Sequence, residues 1–338
     1  MVNEKRDYNW GIAILRVLLA FAVVGGHFSS GSYLFKVISP LAVPCFMFLS
    51  FVFFERHLGL GKRSYFIERL KRLVIPYIVW PLIYLFVYSG LYALFNEDFL
   101  GRDWKTSFFF QVLFGHSILP VLWFHWCLIL LTMAAYCCSF LPKVILAVSL
   151  FFIVFLSFLF QYSGFNGIFS DFRFELKYPL GRFVEMLPYC IVGCALGSFL
   201  TSRLCDVKLR VRALICFFSI IAFFVFSFVP EHSLRSDYGY AGCILFLKTL
   251  SVAAFFWFAP IGDSIEVHPA VKAILKVATR YTMGIYCLHF MIGQAVNRLS
   301  FVSNGILKCL IIYLASYVSC LVVDALARNN KWMKQLIS

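Results

Sequence analysis

The sequence has little charge and no polar stretch long enough to form a soluble domain. Asp, Glu, Lys and Arg make up only 14% of the 338 residues, whereas 62% are hydrophobic and 19% are aromatic. Soluble domains carry about 25% charged residues, so this composition excludes a soluble globular protein and indicates an integral membrane protein. No small-residue cleavage site follows the first apolar run, so we expect that run to remain in the protein.

Metal-binding cysteine patterns are also missing. None of the 12 cysteines forms a CxxC pair or a Cys/His set with zinc spacing. Most lie in apolar segments, where a thiol behaves as a small hydrophobe, so we expect free structural cysteines and no metal. The formal net charge of +14 would by itself allow a nucleic-acid partner. The basic residues lie between apolar segments, however, where the positive-inside rule places them, and no nucleic acid is expected.

Apolar windows of about 19 residues predict an all-α polytopic membrane helix bundle, a single domain over 1–338 with about ten transmembrane helices. The predicted spans are 10–28, 37–54, 73–95, 118–140, 144–161, 183–201, 213–230, 240–261, 281–299 and 305–327. With the N-terminus inside, the inner segments, which include 55–72 and 262–280, hold more than twice as many Lys and Arg residues as the outer loops. Both termini are therefore expected in the cytoplasm. No internal repeat is visible.

The first span carries two ionisable residues, Arg16 and His27. Their i to i+11 spacing is three helical turns with about 20° of drift, so they share one stripe roughly 16 Å long. A charge costs at least ~2.5 kcal/mol at the centre of a membrane helix, and such groups usually face a protein interior or a cavity. His27 either exchanges protons at neutral pH or lies idle in the headgroup region. The preceding Gly25-Gly26 would let another group approach closely.

A basic cluster, Arg69-Leu70-Lys71-Arg72, ends the predicted inner loop 55–72. Arg69 and Arg72 are three residues apart and project to one side of a helical turn, with Lys71 nearby. Guanidinium groups bind phosphate through paired hydrogen bonds, which makes a phosphate site one interpretation. The other is a positive-inside anchor for the third span, which composition alone favours.

Two further groups are predicted inside the membrane. Glu185 is expected near the level of His27, where it either holds the second imidazole nitrogen or pairs with Arg182 three residues away. His289 is expected near mid-membrane, where it either bonds across helices or lines a cavity.

Three more residues are expected near the membrane surfaces. His125 and Trp123 enter from the outer side and belong either to a cavity or to an interfacial aromatic belt. Asp324 is expected to pair with Arg328 four residues later.

These motifs together resemble the membrane acyltransferase-3 family, over about Tyr8 to Ala327. The resemblance rests on Arg16 with His27, on the cluster at 69–72, and on the segments 41–50, 73–77, 122–124 and 286–290. One departure is Phe51, because the family usually has glycine after Ser50, which leaves the packing of the second span open. No hydrolase-like domain follows the spans, so the membrane part or a separate partner would complete the reaction.

The resemblance implies a bacterial cytoplasmic-membrane enzyme that takes an acyl group, by default acetyl, from cytoplasmic acyl-CoA. The acceptor would be a hydroxyl of a cell-surface or lipid-linked glycan. Arg69 and Arg72, with Lys71, would hold the CoA phosphates. His27 would act as general base or briefly carry the acyl group, and Arg16 would hold the pantetheine arm or stabilise the carbonyl oxygen. The other implied site residues are Glu185 or His289 as the group that orients the imidazole, and Trp123, His125, Tyr286 and His289 around the substrate.

Two other function classes remain open from the residues. Coupled transporters carry paired acids near the midplane and helices related by symmetry, whereas the membrane acids here lie near helix ends. A non-catalytic small-molecule-binding membrane domain is the third interpretation. The acceptor sugar, the length of the acyl group and the oligomeric state do not follow from the sequence.

Overall fold

The computed structural model describes residues 9–29, 32–58, 63–95, 120–140, 151–157, 174–203, 208–228, 238–259, 261, 266–298, 304–327 and 331–337. Every regular element in these ranges is a helix, which confirms the all-α prediction for them. We number the helices α1 (Trp10–Phe28), α2 (Tyr33–Leu58), α3 (Arg63–Phe95), α4 (Trp123–Cys138), α5 (Phe174–Arg203), α6 (Leu209–Phe228), α7 (Tyr238–Phe258), α8 (Pro269–Arg280), α9 (Thr282–Arg298), α10 (Gly305–Leu326) and α11 (Lys331–Gln335). A 3₁₀ turn, Pro120–Leu122, leads into α4, and residues 151–157 are also helical.

Within the described ranges, six helices contain a segment long and apolar enough to cross a membrane. These segments are Trp10–Phe28, Tyr33–Leu58, Ser64–Gly90, Leu180–Gly197, Leu209–Ser227 and Gly305–Leu326. The shorter helices Trp123–Cys138 and Gly242–Phe258 are also apolar. Most of the predicted span at 144–161 lies outside the described residues. An integral membrane helix bundle is therefore supported, whereas the count of ten spans and the cytoplasmic termini stay predictions.

Two stretches predicted as inner loops are helical. Helix α3 begins at Arg63, so the basic cluster at 69–72 lies within a long helix rather than in a loop. Helix α8 occupies 269–280, and its polar and apolar residues fall on different faces. Hydropathy windows average over all faces of a helix, so they register neither a charged helix start nor a short amphipathic helix.

Helix α1 lies at the centre of the bundle and packs against α2, α7, α8, α9 and α10. Its N-terminus is capped by Asn9, whose side-chain oxygen accepts a hydrogen bond from the Ile12 N–H at 3.0 Å. Gly25 faces the ring of Phe35 on α2 so closely that any side chain would overlap it. This glycine therefore allows the close approach that the sequence suggested.

Helices α2 and α5 pack through two glycines one turn apart. A Cβ at Gly193 would lie 2.7 Å from the carbonyl oxygen of Phe48, and one at Gly197 would lie 2.6 Å from that of Val52. This is the small-xxx-small pattern that brings membrane helices together. Phe51, the departure from the family pattern, is fully buried, and a Cβ at Gly193 would be 3.0 Å from its Cβ. At this interface the glycines that allow close packing therefore belong to α5, and α2 contributes the larger Phe51.

Asp324 of α10 has two partners that were not predicted. Its carboxylate pairs with the Arg280 guanidinium at 3.0 Å and accepts a hydrogen bond from the Tyr281 hydroxyl at 2.9 Å. Arg328 lies outside the described residues. The contact joins α10 to the junction of α8 and α9, a long-range pairing that an i to i+4 rule does not find.

Candidate active site

The last turn of α1 lies against the middle of α9. The ring centroids of His27 and His289 are 5.3 Å apart, and Phe290 lies 6.1 Å from the His27 ring. Gly293 makes room on α9 for the ring of Phe28, because any side chain at that position would overlap it. His27 is exposed, whereas His289 is fully buried. The pair joins an accessible imidazole to one enclosed by protein.

The two nitrogens of His289 differ. Nδ1 lies 3.2 Å from the carbonyl oxygen of Ile285, one turn earlier in α9. Nε2 is buried and has no hydrogen-bond partner in the described part of the chain. An unpartnered buried nitrogen costs about 1–3 kcal/mol, and such cost is typical of a group retained for function.

Two further rings, those of Tyr286 and His125, pack one after the other on His289. Tyr286 lies one turn earlier on α9, 5.9 Å from His289, and donates a hydrogen bond from its hydroxyl to the carbonyl oxygen of Val121. The ring of His125 on α4 is 5.7 Å from Tyr286. His125 is fully buried, and neither of its nitrogens has a partner among the described residues. The three residues form one packed series.

A cavity of about 260 Å³ lies beside Tyr286. Side chains from α1, α2, α3, α4 and α9 line it, namely Arg16, Phe46, Leu49, Ser50, Phe53, Tyr65, Arg69, Arg72, Leu73, Phe124, Leu128, Thr282, Met283 and Tyr286. The described residues of this lining include three arginines and no acidic side chain, so the cavity favours an anionic group with an apolar portion.

Arg16 lies in the cavity wall and connects α1 to α9. Its Nη2 donates a hydrogen bond to Thr282 Oγ1 at 3.0 Å. Thr282 in turn donates to the carbonyl oxygen of Thr279 at 3.2 Å, so it is held in one orientation. Helices α1 and α9 thus meet in two regions, one at Arg16 with Thr282 and one around His27 with His289.

The basic cluster divides into residues with different surroundings. Arg69 is buried, and its guanidinium donates to Thr132 Oγ1 at 3.2 Å, to the Ser50 carbonyl at 3.1 Å and to Ser50 Oγ at 2.7 Å. Its guanidinium carbon also lies 4.8 Å from the ring centroid of Phe54. Arg69 therefore binds α2 and α4 to α3, a protein-internal role that the sequence interpretation did not include.

Arg72 and Lys71 are both exposed. The guanidinium carbon of Arg72 lies 6.0 Å from the ring centroid of Tyr65, and both side chains line the cavity. Lys71 is not among the lining residues. Of the predicted phosphate ligands, Arg72 is the one that combines exposure with a place in the cavity.

Two other predicted site residues lie apart from the histidine pair. Glu185 forms an ion pair with Arg182 at 2.7 Å, which is the local alternative considered from the sequence. The Arg182 guanidinium carbon lies 5.2 Å from the ring centroid of Trp123. Phe124 rather than Trp123 lines the cavity. The ring beside His27 belongs to His289, the other candidate for orienting it.

One protein-family model, described as an acyltransferase domain, matches residues 9–325. The chain belongs to this family. The match includes both contacts between α1 and α9 and the whole lining of the cavity, so the membrane acyltransferase-3 resemblance is confirmed for the part of the chain that forms the site. None of the curated proteins and none of the solved structures matches the chain.

The hydroxyl residues that hold the arginines were not predicted from the sequence. Ser50 and Thr132 bind Arg69, and Thr282 binds Arg16. Single hydroxyl residues are common in membrane helices and carry no motif of their own. Position gave a signal for two of them, since Ser50 ends the segment 41–50 that resembles the family and Thr282 lies four residues before the segment 286–290.

Proposed function

We propose that this acyltransferase transfers an acyl group, by default acetyl, from cytoplasmic acyl-CoA to a hydroxyl of a cell-surface or lipid-linked glycan, across a bacterial cytoplasmic membrane. One observation carries the proposal: Arg16 in the cavity wall and His27 beside His289 lie on the same helix and both contact α9. The donor site and the reacting imidazole would therefore be held by one rigid pair of helices.

The cavity suits the donor in the charge and in the apolar character of its lining. Arg72, exposed at the cavity, would bind a CoA phosphate, for which a planar guanidinium is well matched. Arg69 would stabilise the wall of the cavity rather than bind the donor, because Ser50 and Thr132 already bind its guanidinium. The apolar lining would hold the pantetheine arm, with Arg16 next to an amide of that arm.

His27 would act as general base on the acceptor hydroxyl. The imidazole takes the hydroxyl proton while the oxygen forms a bond to the thioester carbonyl carbon. The carbon–sulfur bond then breaks, and the CoA thiolate leaves and takes up a proton. A donor to the developing oxyanion would lower the barrier. Arg16 lies roughly 16 Å from His27 along α1, so it would hold the pantetheine arm rather than fill that role. The brief formation of an acyl-imidazole at His27 is the other route.

The test uses the purified full-length protein in proteoliposomes loaded with a glycan acceptor. Radiolabelled acetyl-CoA is added outside, and thiol release and label on the glycan are measured together. Equal amounts of both are expected for the wild type and neither for His27→Ala, with unchanged insertion into the membrane. Normal activity of His27→Ala would rule out the proposed mechanism.

The same vesicles separate the other function classes. A transporter would accumulate label in the lumen as intact acetyl-CoA without releasing thiol. A non-catalytic binding domain would retain acetyl-CoA on the protein, with no label in the lumen and no thiol released. Mass spectrometry of surface glycans from cells with and without the gene would identify the acceptor by loss of an acetyl increment.

A further inference from the structure

Helix α9 contains a side chain from another helix within its backbone hydrogen-bond ladder. The hydroxyl of Tyr84, on α3, donates to the carbonyl oxygen of Cys287 at 2.8 Å and accepts from the Met291 N–H at 3.0 Å. In an α-helix the N–H of one residue bonds to the carbonyl four residues earlier, so Cys287 and Met291 are such a pair. The hydroxyl therefore stands between two groups that an undisturbed helix would join.

This insertion falls in the turn that carries His289. Side chains inserted into the i to i−4 ladder open the helix and change its direction at that point. A tyrosine hydroxyl is suited to the place because it both donates and accepts, so neither backbone group is left unpaired. Tyr84 is fully buried, where an unpaired backbone group would cost about 1–3 kcal/mol.

We propose that Tyr84 is a positioning residue, whose hydroxyl holds the turn at 287–291 of α9 so that the His289 ring faces His27. Tyr84 is not among the residues that line the cavity, and its ring packs against Tyr88 at 5.5 Å. It therefore acts through the backbone of α9 rather than on the substrate. The effect on the reaction rests on the proposed function, whereas the effect on the two imidazoles does not.

The next turn of α3 supplies a matched control. Tyr88 is also buried and also bonds to α9 through its hydroxyl, which donates to Gln294 Oε1 at 2.6 Å. That acceptor is a side chain, so loss of the bond leaves the backbone ladder unchanged. Tyr84→Phe and Tyr88→Phe remove the same atom, from neighbouring turns of one helix.

The experiment compares both variants in detergent with ¹³C-labelled histidine. The His27 and His289 ring signals are assigned by their loss in His27→Ala and His289→Gln. We expect Tyr84→Phe to shift both signals and Tyr88→Phe to leave them in place. Unchanged signals in Tyr84→Phe, or equal shifts in the two variants, would overturn the proposal. This readout needs no turnover, so it decides the positioning role even if the wild type transfers no acyl group.

Kinetics give a second readout when the wild type is active. Misplacement of a reacting group by about 1 Å costs ~10²-fold in rate, so kcat of Tyr84→Phe should fall by up to that factor. The KM for acetyl-CoA should not change, because the cavity is untouched. A change in KM alone, with both histidine signals in place, would contradict the proposal.

A third variant covers the case in which Tyr84→Phe does not fold. Replacement of Tyr84 by 3-fluorotyrosine keeps the hydroxyl but weakens its acceptor strength, so the bond from Met291 should weaken while the fold remains. A shift of the His289 signal larger than that from the same replacement at Tyr88 is expected. Equal shifts would again overturn the proposal.

Discussion

Arg16 and Thr282 are joined by a hydrogen bond of 3.0 Å at the point where α9 begins. Eleven residues further along α1, His27 meets His289 of the same partner helix. Contacts in two regions, eleven residues apart on α1, fix both the axial register and the rotation of α1 against α9. Because Arg16 and His27 lie on one helix, the distance between them is set by that helix rather than by loops.

Removal of the Thr282 hydroxyl should weaken the hold on Arg16. A hydrogen bond to a charged group contributes about 1.5–3 kcal/mol, so Thr282→Val should lower kcat/KM for acetyl-CoA by at least about tenfold. Thr282→Ser keeps the hydroxyl and should retain most of the activity. Steady-state kinetics in proteoliposomes compare the three proteins, and equal losses in both variants would show that the hydroxyl is not what matters.

His289→Gln should lower kcat with little change in the KM for acetyl-CoA. His289 contacts His27 and does not line the cavity, so donor binding should be retained while proton transfer is impaired by about 10–100-fold. His268→Gln is the control, since His268 is exposed at the N-terminus of α8. An active His289→Gln enzyme would show that the pairing with His27 is not needed for the reaction.

Arg69 and Arg72 should respond differently to substitution. Arg72→Ala should raise the KM for acetyl-CoA and reduce its dependence on salt, with an unchanged thermal midpoint, because the side chain is exposed at the cavity. Arg69→Ala should lower the thermal midpoint, because three buried hydrogen bonds are lost. Lys71→Ala should change neither quantity. A lower thermal midpoint for Arg72→Ala together with a raised KM for Arg69→Ala would contradict the structure.

Contacts between neighbours in sequence were predictable, and those between distant residues were not. The spacing of Arg16 and His27 correctly predicted that both lie on one stripe, and the Arg182–Glu185 pair was the local one of the two alternatives for Glu185. The burial of Arg69 depends on Thr132, a residue far along the chain, which no periodicity connects to it.

The presence of a membrane helix was also easier to predict than the residues at which it begins and ends. Apolar windows found the six described helices that are long and apolar enough to cross a membrane, because long apolar runs are specific to membranes. They did not find α8, and they placed the start of α3 ten residues too late, because both stretches mix charged with apolar residues. The bonds from the Tyr84 hydroxyl of α3 to the backbone of α9 have no sequence signal, because their partners, Cys287 and Met291, lie far along the chain.

Gly193→Ala should destabilise the interface of α2 and α5. The added methyl group would lie 2.7 Å from the Phe48 carbonyl oxygen, a backbone atom that can move only with its helix. Overpacking of this kind costs about 1–3 kcal/mol and should lower the thermal midpoint. Gly90→Ala is the matched control, because no atom of the described residues lies within 4 Å of a Cβ there, and alanine in an open helical position is neutral or stabilising.

Gly193→Ala should also disturb the candidate active site, because its effect on α2 extends to Ser50. Helix α2 carries Ser50, which holds Arg69, so separation of α2 from α5 should also loosen that arginine. Phe51→Ala added to Gly193→Ala should restore little stability, since the short contact with the Phe48 carbonyl would remain. Full recovery in the double variant would mean that the Phe51 side chain, and not the helix backbone, limits how closely α2 and α5 approach.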